Sequence, residues 1–419
     1  MRIEILCTGD EILTGKTINT NYGYIAQRLG EAGLEVIWGS TVGDDRASLR
    51  EAFRQAAVRA DAVIVNGGLG PTVDDLSQEM AAEAAGVPLV LHQPWLERME
   101  AFYARRNRVM PPNNRKQAML PEGAEFIDNP IGTACGFAVT IGAARFYFTP
   151  GVPREMRRML DEQVLPRLLA KAGLPGVSRL KRFHSYGIGE SRADEMLKGV
   201  EDLAPGGGVK LGFQAHYPEL ETKLAVRAAN EAELAAKLAP VEAEVRRRLG
   251  NFIIAEDGET LESVVLAALR ARGFSLALAE SYTGGGIASR LLQVAGAEEV
   301  FRRGLVSRDP EQLAAAAGMA HGDFSPAAAE AMAATLRGQS GATHGMAVLI
   351  TMDEGRDRME LGGNISIGLA DPDGTLVREA RLLGGREWVR LGAVEMALDC
   401  LRRRLQGLPV DERLDFERR

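Results

Sequence analysis

The sequence predicts an α/β protein of several domains, the first a doubly wound parallel sheet, and three observations carry that reading. Short, continuously apolar runs such as Ala62–Val65 are of the kind found in parallel strands buried on both faces. Helical patterns alternate with these runs, as they do where helices cover both faces of a sheet. The chain has 419 residues, 46% of them hydrophobic, which is enough for about three domains at ~150 residues each.

The first region, residues 1–170, opens with a strand over Ile3–Cys7 and the turn Thr8-Gly9-Asp10-Glu11. Asn19-Thr20-Asn21 then caps a helix that runs to about Leu29. A strand over Leu34–Trp38, a helix over Ala47–Arg59 and the strand Ala62–Val65 follow. The next loop, Asn66–Asp75, carries Gly67, Gly68 and Gly70 into a helix over Ser77–Ala85. Glycines at a strand-to-helix turn aim backbone N–H groups and the positive end of a helix dipole at one point, an arrangement suited to phosphate. Thr72 caps that helix, with Asp75 as its third residue. Asp74 has no such structural role. Two carboxylates beside an amide cradle repel a diphosphate unless a divalent ion lies between them. Both acidic turns follow strand carboxyl ends, where ligands of open α/β sheets collect, so Asp10, Glu11 and Asp74 are expected to share one crevice. Arg105, Arg106 and Arg108, with Asn114-Arg115-Lys116, offer cations to the same phosphates or form a solvated helix end. Asn129–Gly136 and Thr149–Pro153 read as turns beside strands.

The middle region, residues 171–252, begins at Leu174-Pro175-Gly176 and reads as a small α+β module. Its elements are a strand over Lys181–Tyr186, a helix over Ser191–Val200, strands over Val209–Ala215 and Glu221–Ala228, and a helix over Glu231–Arg248. The last region, residues 257–410, starts with the helix headed by Glu259-Thr260-Leu261-Glu262. The strand Leu276–Ala279 runs into Glu280-Ser281-Tyr282-Thr283-Gly284-Gly285 and a helix. Asn364–Ala370 alternates as a strand, Asp371-Pro372-Asp373-Gly374 is a hairpin turn, and Glu387–Leu405 is a long helix. The charged segment after Leu408 reads as a frayed tail.

Composition narrows the function classes. No segment is long enough to span a bilayer, and the start, with Glu4 in its first strand, is not an export signal, so a cytoplasmic protein is expected. Cys7, Cys135 and Cys400 read as buried free thiols. The five histidines show no metal-ligand spacing, and a net charge of −7 disfavours nucleic acid as a partner.

Five motifs in order, the Gly9 and Gly67 loops, Asn114-Arg115-Lys116-Gln117-Ala118, Asn129–Gly136 and Phe148–Met156, closely resemble the N-terminal domain of the CinA family of competence/damage-inducible proteins. That domain is similar to molybdopterin-binding proteins. The middle region corresponds to the family's KH-like module, although it has no G-x-x-G and RNA binding is not expected. The last region resembles the family's nicotinamide-nucleotide amidase domain, with Ser281 as the nucleophile position.

The resemblance implies hydrolysis of the diphosphate bond of ADP-ribose or a related nucleotide, with a divalent metal, magnesium or cobalt, and room for potassium. Chemistry then falls to Asp74, Asp75 and Lys116, and metal contacts to Asp10, Glu11 and Asp74. Nucleotide and phosphate contacts fall to Gly9, Asn21, Gly67, Gly68, Gly70, Thr72, Gly132, Thr133, Pro150 and Gly151. A homodimer is expected, because helices such as Ala327–Leu336 and Leu391–Leu401 carry more apolar surface than a small domain covers.

The amidase-like region departs from the family pattern. Tyr282 replaces the usual cysteine, Arg308 stands where tyrosine is expected, and Leu313 where lysine is expected. Arginine stays protonated and leucine does not titrate, so neither takes a proton from Ser281. Ile350–Arg358 replaces a glycine-rich loop. Ser281 is therefore read as a vestigial nucleophile, with Asp309 or Glu280 as the remaining candidate bases. Two alternatives stay open: a nucleotide- or pterin-binding adaptor without catalysis, and a nicotinamide mononucleotide amidase that uses Ser281.

Overall fold

A computed structural model describes residues 1–174 and 176–417; Pro175, Arg418 and Arg419 lie outside the described residues. The chain forms two compact units, residues 1–179 with 227–234, and residues 180–226 with 235–419.

In the first unit the strands are β1 (Ile3–Thr8), β2 (Val36–Val42), β3 (Ala62–Asn66), β4 (Leu89–Leu91), β5 (Met119–Pro121), β6 (Glu125–Ile127), β7 (Gly136–Ile141) and β8 (Ala144–Thr149). Six of them form one sheet in the order β2-β1-β3-β8-β7-β6. β1, β2, β3 and β8 run parallel, while β7 and β6 add antiparallel edges. Side chains alternate between two cores. Leu6, Val63, Val65, Phe146 and Phe148 pack with Phe53 on one face, and Ile3, Ile5, Ile64 and Tyr147 pack with Ile25 and Met159 on the other. Burying each of these large side chains stabilises the fold by roughly 2 kcal/mol. Glu4 sits inside β1, fully buried, and is paired with the Arg59 guanidinium and the Ser40 hydroxyl. An unpaired charge there would not be tolerated.

Two expectations shift. The second strand begins at Val36, not Leu34, because Leu34 closes the preceding helix, Thr20–Glu31. Its N–H bonds the Leu29 carbonyl while Gly33, at φ 72°, bonds Gly30, the Schellman arrangement. The helix Ser77–Ala85 forms as expected, but Thr72 does not cap it. Thr72 and Asp75 instead close a turn of their own ahead of the helix.

Most residues of β9 (Val177–Tyr186), β10 (Val209–His216), β11 (Glu219–Ala228) and β12 (Ile253–Glu256) belong to the second unit, and these strands pair in the order β10-β11-β9-β12; residues 177–179 of β9 and 227–228 of β11 belong to the first. β12 has no counterpart in the sequence reading. Several basic residues of this module are engaged by acids: Arg182 and Lys223 with Glu221, Lys181 with Glu256 and Asp257, and Arg247 and Arg248 with Glu244.

A second sheet of the same unit has the order β14-β13-β15-β16-β17, from β13 (Leu276–Glu280), β14 (Phe301–Val306), β15 (His344–Met352), β16 (Gly362–Asp371) and β17 (Gly374–Leu383). The helix Pro326–Ser340 buries Ala329, Met332, Ala333 and Leu336 on one face of that sheet. The helix Arg386–Gln406 is buried along most of its length on the other. The apolar surface that argued for a second copy is thus covered within the chain.

The tail corrects another expectation, since it does not fray through Glu417. Leu414 is buried with Tyr186, and Phe416 packs edge-on to Tyr186. Asp415 accepts the Gly189 N–H and pairs with Arg192, and Glu412 and Glu417 pair with Arg403 and Arg378. Leu414→Ala is expected to cost about 2–4 kcal/mol in chemical denaturation of the full chain. A change below about 0.5 kcal/mol, the range of an ordinary surface substitution, would mean that the tail is not docked.

Candidate functional site

β2 and β3 flank β1 on opposite sides, so the connections leaving β1 and β3 diverge, and this is where ligands bind in open α/β sheets. A cavity of about 620 Å³ lies there. It is bounded by the loops after the carboxyl ends of β1, β2, β3 and β8.

The loop after β3 is held open from beneath. Gly67, at φ 115°, donates its N–H to Thr149, and a Cβ there would meet Thr8 Oγ1 at 2.5 Å, so only glycine fits. Ser77 anchors the far side, its hydroxyl on the Gly67 carbonyl and its N–H on Gly68. The amides of Gly68, Leu69 and Gly70 make no hydrogen bond among the described residues and belong to the cavity lining.

A buried polar chain ties three loops together. Asn66 Nδ2 donates to the Pro150 carbonyl (2.7 Å), and Asn21 Nδ2 donates to Asn66 Oδ1 (2.8 Å) and to the Gly151 carbonyl (2.7 Å). Asn19 starts the Asn21 helix by accepting the Tyr22 N–H.

Of the residues expected at this site, Gly9, Glu11, Asn21, Gly67, Gly68, Gly70, Thr72, Asp74, Asp75, Thr133, Pro150 and Gly151 line the cavity. Asp75 accepts the Thr72 N–H at 2.8 Å and its hydroxyl at 2.5 Å, so it shapes the loop. Asp74 is exposed and accepts no hydrogen bond among the described residues. Asp10, Lys116 and Gly132 are not part of the lining. The Asp10 carboxylate accepts the Asp44 N–H, and Lys116 reaches the Thr72 carbonyl (3.1 Å) and Glu79 (3.5 Å), bracing the loop from outside. Arg105, Arg106 and Arg108 also lie outside the lining, with Arg106 stacked over Phe102.

Two lining acids were not foreseen. Asp44, just past β2, accepts the Asp10 N–H at 3.1 Å. Burial, and the Asp10, Glu11 and Asp75 carboxylates around it, push its carboxyl above the ordinary value. Glu155 lies in the Phe148–Met156 motif; burial raises its carboxyl, opposed by a hydrogen bond from Asn129. An acid two residues beyond a strand's carboxyl end was the available signal for Asp44.

Glu11, Asp44, Asp74, Asp75 and Glu155 face a cavity with no lysine or arginine among its described lining residues. This hard oxygen donor set fits magnesium-type cations. Among the described residues no three or more His, Cys, Asp or Glu side chains form a metal-binding group by themselves. Cys7, Cys135 and Cys400 are buried free thiols, and burial pushes Cys135 and Cys400 up to about 12.

In the second unit Ser281 is fully buried. Its Oγ accepts the Ile350 N–H at 3.0 Å and its N–H donates to Val348, so the hydroxyl fastens the turn to β15. Both candidate bases are committed elsewhere. Glu280 accepts the Thr283 hydroxyl and the Ile287 and Ala288 N–H groups, and Asp309 caps the helix Pro310–Ala316. Tyr282 adopts φ 63°, and the Arg308 guanidinium lies over its ring at 5.1 Å. Leu313 is fully buried with Ala277, Ala329 and Met332. Among the described residues no helix is long and apolar enough to cross a membrane.

Three family models match the chain in succession: a probable molybdopterin binding domain over residues 4–170, the damage-inducible protein CinA KH domain over 180–255, and the CinA C-terminal domain over 258–405. The chain is 40% identical over 409 residues to a CinA-like protein of Anaeromyxobacter sp. (strain Fw109-5), covering 96% of this chain and 98% of that one. It is also 40% identical to a CinA-like protein of Shewanella sediminis (strain HAW-EB3), over 98% of this chain and 97% of that one. Among solved structures, a protein CinA of unknown function from Thermoplasma acidophilum is 32% identical over 41% of this chain and 96% of its own, with a TM-score of 0.36.

Proposed function

This chain belongs to the CinA family, and from that premise we propose that its N-terminal domain hydrolyses the diphosphate bond of ADP-ribose or a closely related nucleotide with the help of a divalent ion. The observation that carries this reading is the pairing of the open amides of Gly68, Leu69 and Gly70 with a carboxylate-lined, lysine- and arginine-free cavity at the strand-order reversal. Amides of that kind hold phosphate oxygens without adding charge. Glu11 and Asp74 are the carboxylates open to an ion, which when bound would neutralise the diphosphate and its developing negative charge. Lys116, through Thr72, and Ser77, through Gly67 and Gly68, keep the loop in shape. Asn21 and Asn66 hold the Pro150-Gly151 turn against it. Hydrolysis adds water to one phosphorus as the bridging oxygen leaves, giving AMP and ribose 5-phosphate, and the released proton passes to the cavity's carboxylates. Positioning and charge neutralisation supply most of the catalysis that phosphoryl transfer needs.

Purified protein incubated with ADP-ribose and magnesium or cobalt is expected to release AMP and ribose 5-phosphate, and chelation is expected to stop it. An unchanged rate after chelation would remove the metal from the mechanism. Binding of ADP-ribose without cleavage under either ion would favour an adaptor.

A further inference from the structure

In the second unit the helix Arg386–Gln406 carries a buried carboxyl that neither candidate site uses. Glu395 is fully buried, and its Oε1 has no hydrogen-bond partner among the described residues. Its Oε2 accepts from Arg290, on the helix Gly286–Leu292. The same guanidinium donates to Glu262, buried on the helix Leu261–Ala271, and lies 3.9 Å from Glu219 at the start of β11. Three carboxylates from three elements thus share one positive charge. Tyr186 of β9 also meets this helix, its hydroxyl on the Gly392 carbonyl, and burial keeps its phenol neutral. Glu219 lies 3.5 Å from His184 Nδ1 as well.

Ionising all three acids would leave two negative charges beyond what Arg290 offsets, one of them on a buried carboxylate with an oxygen that nothing hydrogen-bonds. Burial strongly disfavours that state. A proton on Glu395 relieves it. Burial raises the Glu395 carboxyl to about 8, with Arg290 opposing the shift and Glu219 adding to it. At Glu262 burial is outweighed by Arg290, which holds that carboxyl below its ordinary value, so the proton belongs to Glu395. We propose that Glu395 is a proton latch for the β10–β11 hairpin: protonated, it lets Arg290 share its charge with Glu219, and ionised, it takes that charge and repels Glu219, loosening the hairpin from the helix. The turn of the same hairpin rests on the same helix, with Tyr217 stacked on Trp388 at 3.9 Å and its hydroxyl on the Trp388 carbonyl. The docked hairpin keeps a proton that the opened one, with Glu395 in water, gives up. Docking is therefore firmest towards acid, weakens as pH climbs from the ordinary carboxylate range to about 8, and levels off above it.

Hydrogen exchange of the full chain, read by mass spectrometry in peptides spanning residues 209–228 and divided by the intrinsic pH dependence of exchange, measures opening of the hairpin. Wild type is expected to open at least ~10-fold more at pH 9 than at pH 6.5. Glu395→Gln fixes the neutral form and is expected to lose most of that step. His184, raised by its hydrogen bond to Glu219, titrates in the same range and is present in both proteins, so the difference between them belongs to Glu395. An infrared band of a protonated carboxyl, present in wild type at pH 6.5, lost by pH 9 and missing from Glu395→Gln, would place the proton. Glu219→Gln, which removes the repelled charge from a partly exposed position, is expected to shrink the exchange step too. No step in wild type, or an undiminished one in Glu395→Gln, would overturn the latch. Should Glu395→Gln fail to fold, an undiminished step in Glu219→Gln would overturn it equally.

Discussion

Replacing Asp74 by alanine is expected to slow ADP-ribose cleavage by at least ~100-fold while leaving the melting temperature unchanged. The side chain is exposed and makes no hydrogen bond among the described residues, so its removal leaves no unsatisfied partner in the fold. On the proposed function, what is lost is charge organisation at the diphosphate, where removing one ligand of a catalytic ion costs several kcal/mol of transition-state stabilisation. Asp75→Ala should behave differently. It frees the Thr72 N–H and hydroxyl, loosening the loop, so its effect should fall on KM as well as kcat. AMP release measured chromatographically at saturating and limiting ADP-ribose separates the two. Full activity in both variants would take the loop carboxylates out of the mechanism.

Ammonia release from nicotinamide mononucleotide by the wild-type protein is expected to equal that of Ser281→Ala. A serine without its base is typically ~10⁴-fold slower or worse. Ser281 is fully buried with its hydroxyl already accepting the Ile350 amide, and Glu280 and Asp309 serve as helix caps. No proton acceptor is hydrogen-bonded to the hydroxyl among the described residues. Ammonia release by wild type that Ser281→Ala abolishes would reverse this reading.

Most elements of the fold could be read from local pattern because apolar spacing, caps and glycines act over a few residues. The helix Ser77–Ala85 and the hairpin at Asp371–Gly374 are such cases. The misses share a different cause. Asp44 enters the cavity because β1 and β2 pair in parallel and bring Asp10 beside it, a relation that no local spacing reveals. Thr72 and Asp75 satisfy each other within their own turn, which competes with capping a helix that starts at Ser77. The charged tail looked solvated, yet its acids answer Arg192, Arg378 and Arg403, which come from other parts of the chain. Lys116 carries a motif and still acts on the loop's carbonyl at Thr72 and not from the cavity wall.

The stack of Arg308 on Tyr282 makes these two departures from the amidase pattern interdependent, with Leu313 sealed in the core nearby in sequence. Restoring cysteine at 282 takes away the ring on which Arg308 rests, and restoring tyrosine at 308 takes away the cation. Lysine at 313 would put an ammonium into a shell of alanine, methionine and leucine side chains, a costly burial of charge. Tyr282 and Arg308 are thus coupled, because a change at either position alone leaves the other without its stacking partner, while Leu313 is held by the core independently of them.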